Sequence, residues 1–192
     1  MLTLLLGWTG VRFGEAAALR GEAIDTLRRR TRISEAAAEV RGQTIIGTTK
    51  THAARTIVFP AFLAQILGEY LGTVPRDGLV FPDRVGGPLR VTTWHRRVFT
   101  SAAQDADLVP PKLRVHDLRH TAASLQIASG AGVKLVQRQL GHLTATMTLD
   151  RYGHLFPDDL DALSSALDGL RTRTPADSLR TRQAVADIAE RR

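Results

Sequence analysis

The feature that most constrains this chain is the order of polar residues between His116 and Tyr152. His116 and Arg119 are three positions apart, so on a helix their side chains project from the same face. An apolar run with helical spacing follows and stops at Gly141, which predicts a helix end that leaves His142 in a turn. Tyr152 comes ten positions later. The spacing therefore predicts a fold that brings a guanidinium, two imidazoles and a phenol together.

A second arginine lies far upstream in the segment TGVRFGE, where Thr9 or Gly10 precedes a predicted helix that runs to residue 19. With Arg12 at the start of that helix, two guanidiniums, two imidazoles and one phenol could surround a single phosphate. Glu15 follows Arg12 at i+3, so the pair could be a surface ion pair worth about 0.3–0.5 kcal/mol. Glu15 is better interpreted as a carboxylate that orients a cationic neighbour.

Charge and cysteine content limit the classes of function. The chain has 192 residues and is 43% hydrophobic, which is enough to bury a core within one domain, or one domain with a tail. Lys and Arg number 26 against 19 Asp and Glu, and the net charge of +7 favours a polyanionic partner such as nucleic acid. No cysteine is present, which excludes disulfides, thiolate zinc sites and a cysteine nucleophile.

The apolar opening MLTLLLGW is too short to span a membrane. It has no basic segment before it, so it does not read as a signal peptide. We therefore expect a cytoplasmic protein with no membrane partner.

The remaining pattern predicts a mainly helical chain of the α+β class with a small antiparallel sheet. Residues 43–49 and 55–59 are predicted as partner strands of a hairpin or a three-stranded sheet, with residues 50–54 as the turn. Pro60 opens a helix whose apolar side contains Phe62, Leu63, Ile66 and Leu67, residues 83–88 form a loop, and residues 91–106 are helical.

The C-terminal part divides into an apolar helix and a charged end. A short amphipathic helix is predicted from Pro157, with Leu160, Leu163 and Leu167 on one side. Residues 171–192 are charged and rich in alanine without a wide apolar stripe, which predicts a solvated helix or a disordered tail.

Histidine spacing raises the possibility of a metal site. His116 and His120 are four positions apart, as helical zinc ligands are, but no HExxH acid lies between them and no third soft ligand is evident. We therefore expect no metal, and we interpret His120 as a packing or supporting histidine. His52, His95 and His154 receive no functional role.

Lysine is scarce in this chain, which makes each lysine informative. Only three occur, and the first, Lys50, lies in the predicted turn between the two strands. A turn lysine is ordinarily a solvated residue, but a desolvated lysine near other cations can release a proton whereas arginine cannot. Lys50 is therefore a candidate general acid. Five further cations either contact a DNA backbone or lie in water, and these are Arg55, Lys112, Arg114, Lys134 and Arg138.

Over residues 2–157 the chain resembles the catalytic domain of tyrosine recombinases of the phage-integrase type. The resemblance rests on four separated blocks that occur in the family's order, namely TGVRFGEAAALR, TTKTHAARTIVFP, HDLRHT and LGHLTATMTLDRYGH. It implies six active-site residues with Glu15 at the family's acidic supporting position, and the six are Arg12, Lys50, His116, Arg119, His142 and Tyr152.

The resemblance also implies an activity and a domain plan. It implies a site-specific recombinase that breaks and rejoins double-stranded DNA through a 3′-phosphotyrosyl link, needs no cofactor, and assembles with other protomers in a tetrameric synapse. Residues 1–170 would form the catalytic domain and residues 171–192 a tail. Such integrases usually carry a core-binding domain before this block, so we expect an excised domain or a truncated gene product.

The chemistry explains why these residue types belong together. Two arginine forks can stabilise the extra charge on a pentacoordinate phosphate without Mg²⁺. A phenol of ordinary pKa about 10 must lose its proton to attack, and an imidazole can accept that proton. Lys50 would protonate the leaving 5′-oxygen, while His116 and His142 would hydrogen-bond the phosphoryl oxygens. The covalent link stores the bond energy, so rejoining needs no ATP.

Two alternatives stay open from the sequence. A type IB topoisomerase or a telomere resolvase would use a similar set of residues. The second alternative is a noncatalytic or inactive truncated DNA-binding module. The segment ASGAGVKLVQRQLGH lies between two apolar helices and could form a helix-turn-helix.

Overall fold

The chain folds into two units, seen in a computed structural model that describes residues 1–48, 54–108, 113–156 and 160–172. The first unit is Met1–Phe156 and the second is Pro157–Arg192. Nine α-helices and five strands are described. The helices are α1 Leu2–Thr9, α2 Phe13–Ala17, α3 Ala61–Leu71, α4 Val91–Trp94, α5 Thr100–Asp105, α6 Asp117–Ala128, α7 Val133–Leu140, α8 Ala145–Tyr152 and α9 Leu160–Thr172. The strands are β1 Ile24–Asp25, β2 Arg30–Ile33, β3 Glu35–Val40, β4 Gln43–Thr48 and β5 Arg55–Val58.

The strands form two small antiparallel sheets, which confirms the α+β class but corrects the predicted pairing. One sheet has the order β1-β2-β5, and the other pairs β3 with β4. In the part of the chain that the structure describes, β4 and β5 are not partners, so the hairpin predicted across residues 50–54 is wrong. The reason is a local turn: Arg41 and Gly42 both have positive φ, as a two-residue hairpin turn requires, and they close β3 onto β4.

The first two helices also differ from the sequence prediction. The apolar opening of the chain forms α1, whose Leu2, Leu5 and Leu6 are buried in the core. The predicted helix up to residue 19 is shorter than expected, because α2 begins only at Phe13 and ends at Ala17. Arg12 is therefore the residue that caps α2, with extended backbone, and it does not lie within the helix.

The later helices follow the prediction more closely. Helix α3 begins after Pro60, but only Leu63 and Leu67 are buried, while Phe62 and Ile66 are exposed. The predicted helix over residues 91–106 is present as α4 and α5 joined by a π-helical turn, and residues 83–88 form a loop. Helix α7 ends at Gly141 as predicted.

Two apolar cores lie within the first unit. The larger one joins α1, α3 and the three-stranded sheet, through Leu5, Ile57 and Leu63 among others. The smaller one lies among α6, α7 and α8 and contains Val136 and Tyr152. Because the second core includes Tyr152, the packing of three helices fixes the position of that ring.

The second unit is described only through α9. Its leucines follow the predicted amphipathic spacing, and Leu160, Leu163 and Leu167 are 74%, 55% and 58% exposed. The start of this helix at Pro157, and residues 173–192, lie outside the described residues. The predicted domain boundary at residue 170 stays a prediction. None of the helices in the described ranges is long and apolar enough to cross a membrane.

Candidate active site

Arg119 is held between the ends of two helices. It lies in the first turns of α6 and is 4% exposed. Its Nη1 donates to the carbonyl of Gly10 at the end of α1, and its Nη2 donates to the carbonyl of Leu140 at the end of α7, at 2.7 Å. Free carbonyls at a helix C-terminus carry partial negative charge, which favours a guanidinium there. Two distant segments therefore fix one arginine through backbone oxygens alone.

The turn after α7 holds the second arginine. Gly141 ends the helix with φ of 69°, a left-handed conformation that glycine adopts without strain. Arg12 donates through Nη2 to the Gly141 carbonyl at 3.1 Å. A side chain at this position would also lie within 2.6 Å of the Arg55 guanidinium. Gly141 is therefore required for the left-handed turn, and its lack of a side chain lets the Arg55 guanidinium lie close to the backbone that holds Arg12.

Glu15 forms hydrogen bonds with two arginines, Arg12 and Arg55. Its carboxylate accepts from the Arg12 backbone N–H at 2.9 Å and from Arg12 Nη1 at 3.0 Å. It also accepts from both terminal nitrogens of Arg55, at 2.8 and 2.7 Å. Burial acts to raise the pKa of Glu15, but the hydrogen bonds and charges of Arg55 and Arg12 outweigh it and hold that pKa below its ordinary value. The carboxylate is thus charged and orients its neighbours.

Arg55 was expected to contact a DNA backbone or to lie in water. The structure shows that it does not lie in water, and its contact with DNA stays a prediction. Its side chain is only 14% exposed, and its two terminal nitrogens form a fork with the Glu15 carboxylate. Its Nε is buried and has no hydrogen-bond partner in the described structure. The sequence did not indicate this contact, because Glu15 and Arg55 are 40 positions apart and β5 was predicted to pair with β4.

A cleft of about 430 Å³ lies at the meeting point of these elements. Four of its lining residues were predicted from the sequence, namely Arg12, His116, Arg119 and His142. The other three are Met147, Asp150 and Arg151. His116 caps the start of α6 and is exposed, whereas Arg119 lies buried behind it. Residues from three separate blocks of the sequence therefore face one space.

The charge states in the cleft follow from burial and from the crowding of cations. Burial, then the charges of Arg119 and Arg12, lower the pKa of His142 to about 4. Burial, then the charges of His120 and Arg119, lower the pKa of His116. Burial, then the charge of Arg12, lowers the pKa of Arg119 to about 10. At neutral pH both imidazoles are neutral and the guanidinium is charged.

His142 is positioned by a residue that the sequence did not single out. Thr148, fully buried on α8, has its Oγ1 2.9 Å from His142 Nδ1. Thr144 caps the same helix, with its side chain accepting from the Met147 backbone N–H. Because one ring nitrogen of His142 is engaged by Thr148, the other nitrogen is left for the cleft.

Tyr152 is the last residue of α8 and is 3% exposed. Its ring lies parallel to that of His142, with centroids 6.4 Å apart. Its Oη lies 2.9 Å from Nδ1 of His120, the histidine expected to have only a packing or supporting role. Burial raises the pKa of Tyr152, and the charges of Arg119 and Arg151 act against that rise. The phenol is therefore protonated at neutral pH.

Gln139 anchors the turn that carries these contacts. Its buried carboxamide accepts from Val58 N at 3.0 Å and donates to Val58 O at 2.7 Å and to Thr9 O at 3.3 Å. It thereby joins α7 to β5 and α1. The next two residues, Leu140 and Gly141, supply the carbonyls that hold the arginines.

The other predicted cations are distributed differently. Lys50 and Lys112 lie outside the described residues. Arg114, Lys134 and Arg138 are exposed, the last two on α7. Their contact with DNA stays a prediction. In the described ranges, no group of three His, Asp or Glu side chains is placed to hold a metal ion.

Sequence reasoning missed Gln139, Thr148 and the cleft residues Asp150 and Arg151. Arg151 and Asp150 directly precede Tyr152, so their nearness to the nucleophile candidate was a usable signal. Gln139 stands among buried positions of an amphipathic helix, where a polar residue indicates a specific partner. Thr148 had no comparable signal, because a threonine in a short helix is unremarkable.

Comparison with known proteins places this arrangement in a family. The profile of the Phage integrase family matches residues 1–158. The ICEBs1 integrase of Bacillus subtilis is 28% identical over 174 residues, which cover 84% of this chain and 46% of that protein. The chain therefore spans about half the length of the curated relatives it matches.

Solved structures agree on the fold. The Tn1549 transposon integrase, in complex with transposon right end DNA, superposes with a TM-score of 0.71 at 19% identity, covering 88% of this chain and 58% of that one. The catalytic domain of bacteriophage HP1 integrase gives a TM-score of 0.61 at 24% identity, covering 91% and 83%. The chain belongs to the phage integrase family and has the fold of a tyrosine recombinase catalytic domain.

Proposed function

We propose that this domain breaks and rejoins DNA in site-specific recombination, through a covalent link between Tyr152 and the 3′-phosphate. The observation that carries the proposal is the convergence of Arg12, His116, Arg119 and His142 on one cleft, with Tyr152 packed against His142. Family membership supports the same activity. A relative was solved with transposon end DNA, which supports duplex DNA as the substrate.

The two arginines stabilise the transition state of the reaction. In-line attack on a phosphodiester builds negative charge on the nonbridging oxygens, and guanidinium forks match that charge in geometry and sign. Arg119 is held by two backbone carbonyls and Arg12 by Glu15 and Gly141, so neither needs to reorganise when the charge develops. They supply the positive charge for which many phosphoryl-transfer enzymes use a metal ion.

The neutral imidazoles and Lys50 act on the oxygens bonded to phosphorus, through hydrogen bonds and proton transfer. His116 and His142 face the cleft and donate hydrogen bonds to the phosphoryl oxygens. The leaving 5′-oxygen is a poor alkoxide and requires a proton, which we assign to Lys50. Support for that assignment comes from the sequence, where Lys50 is one of three lysines and belongs to the block TTKTHAARTIVFP that resembles the family.

Other protomers are the expected partners on DNA. The exposed leucines of α9 form an apolar stripe, which is suited to pack on another copy of the chain. Recombination of two sites requires several active sites at once, and a tetrameric synapse meets that requirement. Analytical ultracentrifugation should find mainly monomers without DNA and multimers on DNA that carries paired sites, whereas a DNA-free tetramer would contradict the proposal.

The experiment that tests the proposed function is adduct formation. Wild-type protein is mixed at low salt with a randomised pool of nicked duplexes, and covalent protein–DNA species are detected on a denaturing gel. Tyr152→Phe should still bind DNA and should form no adduct, and EDTA should leave the wild-type yield unchanged. Tyr70→Phe serves as the matched control, because Tyr70 lies on α3 and its hydroxyl donates a hydrogen bond to the Val80 carbonyl. Adduct formation by Tyr152→Phe would refute the proposal.

A further inference from the structure

The Tyr152 hydroxyl faces a specific proton acceptor. Of the three histidines near the cleft, His120 alone has a ring nitrogen within hydrogen-bond distance of Oη in the part of the chain that the structure describes, at 2.9 Å. We propose that His120 is a catalytic residue that takes the phenol proton when Tyr152 attacks the DNA phosphate. This inference rests on the proposed function, because it assigns the base for the same nucleophile.

The geometry argues against the other two histidines. The His142 ring is parallel to the Tyr152 ring, at an interplanar angle of 8°, and its Nδ1 is already engaged by Thr148. In the described ranges, no hydrogen bond joins a ring nitrogen of His142 to Tyr152 Oη, whereas one joins His120 to it. His116 is exposed, and its ring lies edge-on to His120, 5.1 Å between centroids. His116 lines the cleft, and the His120 ring contacts both His116 and Tyr152.

The fold also explains why this contact is fixed. His120 follows Arg119, whose guanidinium is locked between two helix ends, so the first turns of α6 are held in place. Tyr152 is buried among Ala123, Ile127 and Val136, so its ring has little freedom. The charges that act on Tyr152 are those of Arg119 and Arg151. Their positive charge favours the phenolate that forms as the proton leaves.

The proton of Tyr152 moves to His120 as the phosphate is attacked. His120 starts neutral with its proton on Nε2, so the lone pair at Nδ1 accepts the hydrogen bond from Tyr152 Oη. As Oη attacks phosphorus, the O–H bond breaks and its proton moves to Nδ1, the Oη–P bond forms, and the P–O5′ bond breaks. The electron pair of that bond stays on O5′, which is protonated by the general acid. In rejoining, the 5′-hydroxyl attacks phosphorus and gives its proton back to the group that acted as general acid. The O5′–P bond forms, the Oη–P bond breaks, and the departing Oη recovers its proton from His120.

The first test reads the tautomer of His120 without any DNA. Long-range ¹H–¹⁵N NMR of the imidazoles distinguishes a ring nitrogen that carries a proton from one that does not. We expect His120 to carry its proton on Nε2 and to be unprotonated at Nδ1 at neutral pH. A proton on Nδ1 would make His120 a donor to the phenol and would overturn the assignment.

The second test separates proton transfer from positioning. His120→Asn places an amide group near the position of Nδ1 but cannot take up a proton. On 5′-bridging phosphorothiolate DNA, whose leaving group needs no proton, adduct formation should slow by about 10²–10⁴-fold, the range for general acid–base catalysis. His154→Asn is the matched control, because His154 is exposed in the turn after α8, and its rate should equal that of wild type.

A more acidic phenol should remove the need for His120. With 3,5-difluorotyrosine at position 152, the defect of His120→Asn should shrink to less than about tenfold, since the demand for a base falls as the phenol becomes more acidic. An equal defect in both backgrounds would show a structural role and overturn the inference. If wild type forms adduct and His120→Asn matches it, the His120 assignment alone fails. If wild type forms no adduct with any member of a randomised phosphorothiolate pool, the proposed function fails, and the inference fails with it.

Discussion

Replacing Gln139 with leucine should loosen the turn that orients both arginines. Leucine has a similar size, so the substitution removes the three hydrogen bonds to Val58 and Thr9 without opening a large cavity. Each bond contributes about 1 kcal/mol net, which gives a loss of about 3 kcal/mol in the free energy of unfolding. For a domain of this size each kcal/mol lowers Tm by about 2–4 °C, so we expect a fall of about 6–12 °C.

The assay is differential scanning calorimetry together with the rate of adduct formation. Gln65→Leu is the control, because Gln65 is exposed on α3, where substitutions change stability by less than about 0.5 kcal/mol. Gln139→Leu should also form adduct more slowly at temperatures where it remains folded, since the carbonyls of Leu140 and Gly141 hold Arg119 and Arg12, the arginines proposed to act in catalysis. A Tm equal to that of Gln65→Leu, with an unchanged rate, would refute the anchoring role.

The pairing of Glu15 with Arg55, the lowered pKa of His142 and the role assigned to Lys50 can each be tested by substitution. Glu15→Gln should lower the free energy of unfolding by about 3 kcal/mol, because it leaves the Arg55 charge unpaired, and urea unfolding against exposed Glu69→Gln measures this. The unfolded chain protonates His142 near pH 6.5 but the folded chain only near pH 4, so this residue's contribution to stability should fall as pH drops through that window. The stability difference between wild type and His142→Phe should therefore change between pH 6.5 and 4, and a constant difference would contradict the pKa. Lys50→Ala should slow cleavage by about 10²–10⁴-fold, with recovery on 5′-bridging sulfur DNA, and equal defects on both substrates would rule out a general acid.

Local signals in the sequence predicted the helical parts of the site. Gly141 ended α7 as expected, because a glycine after an amphipathic run has a local physical reason to adopt a left-handed turn. The spacing of His116 and Arg119 likewise placed both at the start of one helix, and both line the cleft. These features depend on a few neighbouring residues, so the sequence carries them directly.

Contacts between distant segments were beyond local reasoning. Strand β3 has the composition EAAAEV, a weak strand former, and it is stabilised by its hairpin with β4. That pairing left β5 free to join β2, which the sequence pattern did not predict. The contact of Arg55 with Glu15, and that of His120 with Tyr152, join residues 40 and 32 positions apart. Such contacts depend on how helices and sheets pack, which no single segment determines.

The most direct test of the account is to identify the residue that becomes attached to DNA. Covalent complexes formed on nicked duplexes would be digested with nuclease and protease, and the modified peptide would be sequenced by tandem mass spectrometry. We predict a nucleotide joined through a 3′-phosphate to the oxygen of Tyr152. Attachment at any other residue, or strand cleavage with no protein-linked nucleotide, would contradict the central claim.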